Sequence, residues 1–213
     1  MNTIVPHSLK KEEVMTNRFA MMFATLLAVT PLVCNEEIGV QEVQVYFSPR
    51  DRVDEKLISL IEKEPTSIKA AVYCLTHRGV IKALMDAQKR GVKVEIVIDR
   101  YTIRSRAPLK RMAQTGMMIH VWDPQVKPTS DKNQPSLMHN KFCILSGQGV
   151  TWTGSFNFTS EGSMVNQENV VLLRDEKSKT MFEEQFAKIR KEGCRSWADY
   201  LSNPPKKQKK KQS

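Results

Sequence analysis

Between residues 43 and 192, short apolar runs suited to β-strands alternate with segments whose apolar residues recur at helical spacing. No other feature constrains the fold so tightly, because strands and helices laid down in turn must end as a sheet covered by helices. Residues 43–47 read as a strand ending at Ser48-Pro49, and residues 54–63 put Leu57, Ile58, Leu60 and Ile61 on one side of a helix. A strand over 68–75, a helix over 78–90 stopped by Gly91, and a strand over 92–98 closing on Asp99-Arg100 follow. Next come a helix through Leu109, Met112 and Ala113, closed by Gly116, and a strand over 117–122. Residues 123–137 are rich in Pro, Ser, Asn and Lys and read as a long loop. Beyond it, strands near 141–145 and 149–153 are joined by Ser146-Gly147-Gln148-Gly149. A last strand at 170–173 precedes a closing amphipathic helix over 176–192 through Met181, Phe182, Phe186 and Ile189. The expected fold is α/β, a mixed and mostly parallel β-sheet sandwiched between helices, in one domain over residues 41–195. No internal repeat is visible.

The two ends differ from this middle. Residues 19–34, FAMMFATLLAVTPLVC, carry no charged side chain and follow Lys10, Lys11 and Arg18. This stretch is shorter than the roughly 20 residues a membrane-spanning helix needs, and it suits the apolar region of a secretory signal peptide. Residues 1–40 are therefore expected to hold a signal peptide or an uncleaved membrane anchor plus a linker. The chain would then be exported, periplasmic or secreted, or associated with a membrane through residues 19–34. The alternative is an ordinary first helix. At the other end, 196–213 read as a basic tail: Lys206, Lys207, Lys209, Lys210 and Lys211 follow Asn203-Pro204-Pro205 and supply half of the net charge of +10. Such a run is a solvated face, a phosphate attractor or a targeting signal. The overall charge points to an anionic partner, nucleic acid or an anionic membrane surface. Cys34, Cys74, Cys143 and Cys194 have no metal-type spacing, and Cys74 and Cys143 read as buried free thiols.

Chemistry concentrates in three short segments: His139-Asn140-Lys141, Gly154-Ser155-Phe156-Asn157 and Asn166-Gln167-Glu168-Asn169. On a strand, residues i and i+2 share a face, so His139 and Lys141 project together. An imidazole beside an ammonium suits a phosphate: the cation neutralises oxygens while the imidazole attacks phosphorus or moves a proton. Gly154, Ser155 and Asn157 add a turn, a hydroxyl and an amide for phosphate oxygens. Glu168 is an acid able to hold the second imidazole nitrogen.

These segments resemble the motif of the phospholipase D superfamily, H-x-K-x4-D followed by G-S-x-N, in its single-motif bacterial endonuclease-like branch. Tyr46-Phe47-Ser48-Pro49, the stretch from Ala83 to Asp99 and Glu168-Asn169-Val170 are similar too, so the resemblance covers most of residues 41–190. One departure is Ser146, which stands where the motif carries its acid. The resemblance implies a phospholipase D/nuclease fold and a metal-independent phosphodiesterase without cofactor. In it, His139 attacks phosphorus to form a phosphohistidine, Lys141 and Asn157 bind the phosphate with help from Ser155, and Glu168 orients His139. With one motif per chain, the second histidine comes from another copy, so a homodimer with a shared site is implied. Nucleic acid is the expected substrate. Phospholipid headgroups, or a catalytically weak nucleic-acid-binding role, are the alternatives. The remaining histidines have plainer readings: His7 precedes the apolar stretch, His77 caps a helix or sits in a loop, and His120 is a half-buried strand residue. Trp152, Phe156 and Phe158 are expected in the core rather than stacked on bases. Arg100, Arg104, Arg106, Lys110 and Arg111 either line a groove for a phosphate backbone or form a solvated face.

Overall fold

The computed structural model describes residues 43–103, 106–124 and 136–204. The apolar stretch 19–34 with Cys34, His7, Arg104 and the lysines of 206–211 lie outside the described residues. The chain order is β1 (Gln44–Ser48), α1 (Val53–Lys63), β2 (Ser67–Val72), α2 (Arg78–Lys89), β3 (Lys93–Asp99) and, after a 3-10 turn at Arg100–Thr102, α3 (Ala107–Gln114). There follow β4 (Met118–Trp122), β5 (Lys141–Leu145), β6 (Val150–Gly154), α4 (Ser160–Met164), β7 (Glu168–Leu173), α5 (Glu176–Gly193), β8 (Cys194–Ser196) and α6 (Trp197–Ser202).

All eight strands join one sheet in the order β1-β7-β6-β5-β2-β3-β4-β8. It is mixed, as expected, but its pairing corrects the expectation of a mostly parallel sheet. Only β2–β3 and β3–β4 pair in parallel, and the other five ladders are antiparallel. Parallel neighbours need a crossover helix, and the chain supplies those only through α2 and α3. After β4 the chain returns through two-strand reversals.

Helices α1, α2, α3 and α6 cover one face of the sheet, where Leu57, Ile61, Val80, Leu84, Met112, Trp197 and Tyr200 pack on Ile68, Val94, Ile96 and Trp152. On α2, buried Val80, Ile81, Ala83, Leu84 and Ala87 make the stripe that its sequence periodicity predicts. The other face is covered by α5, through Phe186 and Ile189 on Ala71, Val97, Phe142 and Ile144. Trp152, Phe156 and Phe158 are buried core residues as expected. Cys143 is buried as expected, and Cys74 is half-buried.

Domain and tail divide later than expected. Trp197 and Tyr200 are buried, with rings stacked 5.9 Å apart. Asp123 receives ion pairs from Arg100 and, at 3.0 Å, from Arg195, whose Nε reaches Asp199 Oδ2 at 2.8 Å. Residues 196–202 thus belong to the folded domain, not to the tail. A single apolar turn after a long helix gives too little periodicity for a sequence to reveal.

The turn that follows β5, which carries Ser146, is held by a buried carboxylate. Ser146 Oγ accepts a hydrogen bond from Ser67 Oγ at 2.9 Å. The carboxylate nearby comes from Glu64, buried just beyond the end of α1. Its Oε1 accepts the N–H groups of Thr66, Ser67 and Gly147, and its Oε2 that of Gln148, at 2.8–3.2 Å. A side chain at Gly147 would have its Cβ 2.7 Å from Glu64 Oε1, so glycine is required there. Burial raises the Glu64 carboxyl, but the hydrogen bonds from Thr66, Gly147 and Ser67 outweigh it and hold the group below its usual range.

Glu64→Gln is expected to cost about 2 kcal/mol in urea unfolding at neutral pH, since hydrogen bonds to charged groups are among the stronger ones. Placing Asp at Ser146 should recover part of that loss in the Glu64→Gln background while destabilising the wild type. Because the folded carboxyl is depressed, its contribution is present above about pH 4.3 and fades as pH falls through the folded value. The gap between wild type and Glu64→Gln should therefore close in acid.

Candidate active site

β5 runs antiparallel to β2 and β6, so its first residue stands at the sheet edge where β2, β3 and β6 end. β7 begins and β1 ends at that same edge, with Ser48 paired to Glu168. This brings together segments that are more than 100 residues apart in sequence. Ser48 Oγ fastens them by donating to the carbonyls of Gly162 (2.7 Å) and Asn166 (3.0 Å).

His139 and Lys141 meet as expected. Lys141 Nζ lies 2.5 Å from the His139 carbonyl and 3.1 Å from His139 Nδ1. The imidazole packs on the Tyr73 ring, with centroids 4.5 Å apart, and the same ring lies 5.4 Å from Lys141 Nζ. Burial and then the neighbouring Lys141 charge lower the His139 pKa below its ordinary 6.5. Burial also lowers Lys141, with Glu168 opposing. The edge therefore offers a neutral imidazole next to a cation at neutral pH.

Asn157 is placed by its oxygen. Oδ1 accepts the Cys74 N–H at 3.2 Å, which fixes the amide orientation and leaves the NH2 group to face elsewhere. The Phe158 carbonyl accepts both Thr76 N–H (2.9 Å) and His77 N–H (2.8 Å), locking residues 155–159 onto the chain that leaves β2. Gly154 makes the approach possible: a Cβ there would lie 2.1 Å from the Asn169 carbonyl oxygen.

Ser155 and Glu168 also come together. Ser155 Oγ donates a short hydrogen bond to Glu168 Oε2 and accepts the Asn169 N–H at 3.0 Å. Glu168 Oε1 takes Asn166 Nδ2 at 3.2 Å. Glu168 is thus held by Ser155 and Asn166 instead of bonding His139, and its charge acts on Lys141. The register of β7 aims the carboxylate at Ser155, which no reading of spacing alone could show.

Two contributors escaped the sequence reading. Tyr73 lay inside an apolar strand run with nothing to mark it. Asp99 is fully buried at the end of β3, and its Oδ2 accepts the N–H of Met138, the residue before His139, at 2.8 Å. An acid that closes an apolar run was the available signal.

The other histidines have structural roles. His77 caps α2 through Nδ1, which accepts the Val80 N–H at 3.2 Å, and its Nε2 lies 3.4 Å from Asp54. His120 is half-buried on β4 and bonds Glu95 at 2.8 Å. Of the basic residues after β3, Arg100 is paired with Asp123, and Arg106 lies over the Tyr200 ring at 5.9 Å. Lys110 and Arg111 are exposed on α3. Among the described residues no three His, Cys, Asp or Glu side chains gather as a metal site would require, and no helix is long and apolar enough to cross a membrane.

The model of the family described as cardiolipin synthase, PLD-like domain, matches residues 57–190. The chain belongs to that family, within the phospholipase D superfamily. It is 31% identical over 142 residues to a phospholipase D of Rickettsia prowazekii, covering 66% of this chain and 64% of that protein. The match thus spans less than two thirds of that relative's length. Mitochondrial cardiolipin hydrolase of Drosophila melanogaster is 26% identical over 154 residues, covering 63% of this chain and 57% of that one. Among solved structures, the phospholipase D family member Nuc of Salmonella typhimurium superposes with a TM-score of 0.61 at 32% identity, covering 74% of this chain and 98% of Nuc. NucT from Helicobacter pylori shares the fold at a TM-score of 0.67 and 20% identity, covering 74% and 99% of the two chains.

His77→Ala is expected to lower stability by about 1 kcal/mol, the usual cost of losing a helix cap, and to leave phosphodiesterase turnover within twofold of wild type. A loss of turnover without loss of stability would instead give His77 a catalytic role.

Proposed function

We propose that the protein is a metal-independent phosphodiesterase that cleaves nucleic acid through a phosphohistidine on His139, in a site shared by two copies of the chain. The observation that carries this reading is the pairing of a neutral imidazole with Lys141 and the Asn157 amide at one sheet edge. Lys141 donates to His139 Nδ1 in the structure. A phosphate oxygen competes for that ammonium, so substrate binding frees the ring nitrogen.

Lys141 and the Asn157 NH2 group bind the non-bridging oxygens, and Ser155 stands beside them. A His139 nitrogen attacks phosphorus, and the bond from phosphorus to the leaving oxygen breaks. The leaving oxygen takes a proton from an imidazolium and departs as an alcohol. The imidazole that gave the proton then accepts one from water. The resulting hydroxide attacks phosphorus, the phosphorus–nitrogen bond breaks, and His139 is restored with release of a phosphate monoester. A second imidazole is needed at both steps, and among the described residues His77 and His120 are committed to a helix cap and to Glu95. A second copy supplies it. Exposed Phe47, Leu137, Met164 and Val165 border the edge that carries the site, and they suit burial against another copy.

Nucleic acid as substrate draws support from the likeness to Nuc along nearly its whole length and from the net charge of +10. Relatives named phospholipase D and cardiolipin hydrolase favour a phospholipid as the second reading. Residues 19–34, outside the described structure, are proposed to direct export or hold the chain at a membrane.

Purified protein incubated with chelator and single-stranded DNA, double-stranded DNA, RNA or cardiolipin vesicles separates these readings. Nucleic-acid cleavage with intact vesicles is expected, and vesicle hydrolysis alone would overturn the nuclease assignment. His139→Ala should lower turnover at least 10³-fold, the scale on which removal of a nucleophile acts. Mixing it with wild type should depress activity beyond simple dilution, because mixed dimers lack one imidazole. The acid limb of kcat/KM should lie below about pH 6.5, since His139 must be neutral to attack and its pKa is lowered.

A further inference from the structure

We propose that Asp99 is the positioning residue of the nucleophile, its buried carboxylate holding the backbone that presents His139 and setting where the imidazole stands. The proposal rests on the reading of His139 as the attacking group, and it concerns a residue outside the motif segments.

The geometry is specific. Asp99 closes β3 and has no exposed surface. A carboxylate so placed must be hydrogen-bonded, and its two oxygens divide their work. Oδ1 accepts the Tyr101 N–H at 2.8 Å, capping the 3-10 turn that leaves β3. Oδ2 accepts the Met138 N–H at 2.8 Å, and Met138 is itself buried. One side chain therefore ties the end of β3 to the last residue before the nucleophile, across 39 positions of sequence. The same corner fixes the ring on which His139 packs. Thr102 Oγ donates to the carbonyls of Asp99 (2.9 Å) and Tyr73 (2.6 Å), and the Tyr73 N–H donates to the Asn140 carbonyl at 2.9 Å. Asp99, Thr102, Tyr73 and Met138 thus form a closed brace around His139.

The carboxylate also acts by charge. The groups that face His139 are Lys141 and Asp99, with the Tyr73 ring against it, and Glu168 works through Lys141. Asp99 faces Arg100 and His139 in turn. The Asp99 charge favours the imidazolium, opposing the burial and the Lys141 charge that lower His139. Removing it must move His139 further down. A residue that only stabilised the fold would leave the titration of His139 where it is.

Carbon-13-labelled histidine makes this measurable in the full chain, which holds four histidines. His139 is assigned from the spectrum of His139→Ala, and the His77 and His120 signals report an intact fold. In Asp99→Asn, His139 is expected to titrate at lower pH than in wild type. Its acid limb of kcat/KM on bis(4-nitrophenyl) phosphate should shift the same way, with kcat down about tenfold and KM little changed. An unchanged His139 titration in folded Asp99→Asn would overturn the proposal. Should that variant fail to fold, the wild type still decides: the Asp99 carboxyl carbon shift must follow the His139 titration, and a flat response refutes the contact. A wild type inert on every phosphodiester, with these titrations moving as described, would sink the proposed function and leave the positioning role of Asp99 intact.

Discussion

The insertion of β5 between β2 and β6 is the constraint on which the rest of the molecule depends. All five residues of this strand are buried, and Phe142, Ile144, Cys143 and Leu145 divide between the two cores. Because apolar side chains fill both faces, the strand cannot slip by one residue without exchanging them. Its antiparallel direction puts its first residue, Lys141, and His139 just before it at the edge where β2, β3 and β6 end. Reversing the strand would carry the same residues to the opposite edge, beside Glu64. Packing in the centre of the sheet thus decides where the chemistry stands.

Around that strand, buried carboxylates act as fixed acceptors for backbone amides. Glu64 holds the far turn of β5 through Gly147 and Gln148, and Asp99 holds its near end through Met138. Asp123, paired with side chains instead, ties the end of β3 and strand β8 to the end of β4 through Arg100 and Arg195. Each is a charge that would be costly to bury alone and becomes tolerable once several donors converge on it. The first of them stands at the turn that carries Ser146, where the superfamily motif has an acid. The carboxylate is still present at that turn, delivered from α1 instead of from the strand.

The site at the edge is electrostatically mixed for a reason. Burial and then the Lys141 charge lower the imidazole, Asp99 opposes that effect, and Glu168 sustains the Lys141 charge. Glu168 does so while bonded to Ser155 and Asn166, and it thereby fixes the serine next to it. Gly154 permits this arrangement through the close approach of the β6 end to the β7 backbone.

The sequence by itself determined the α/β layering, the positions of most strands and helices, and the meeting of His139 with Lys141. Those features follow from local rules: periodicity, glycine stops, and the two-residue repeat that puts His139 and Lys141 on one face. The cap formed by His77 and the strand role of His120 were legible for the same reason, since their neighbours in sequence define them. Tertiary structure decided what depends on register and on contacts between distant segments. The count of antiparallel ladders, the partner of Glu168, the hold of Glu64 on the turn after Ser146, the folding of α6 onto Asp123 and the hold of Asp99 on Met138 all belong there. None of these has a local signature, because each joins groups that become neighbours only once β5 has taken its place between β2 and β6.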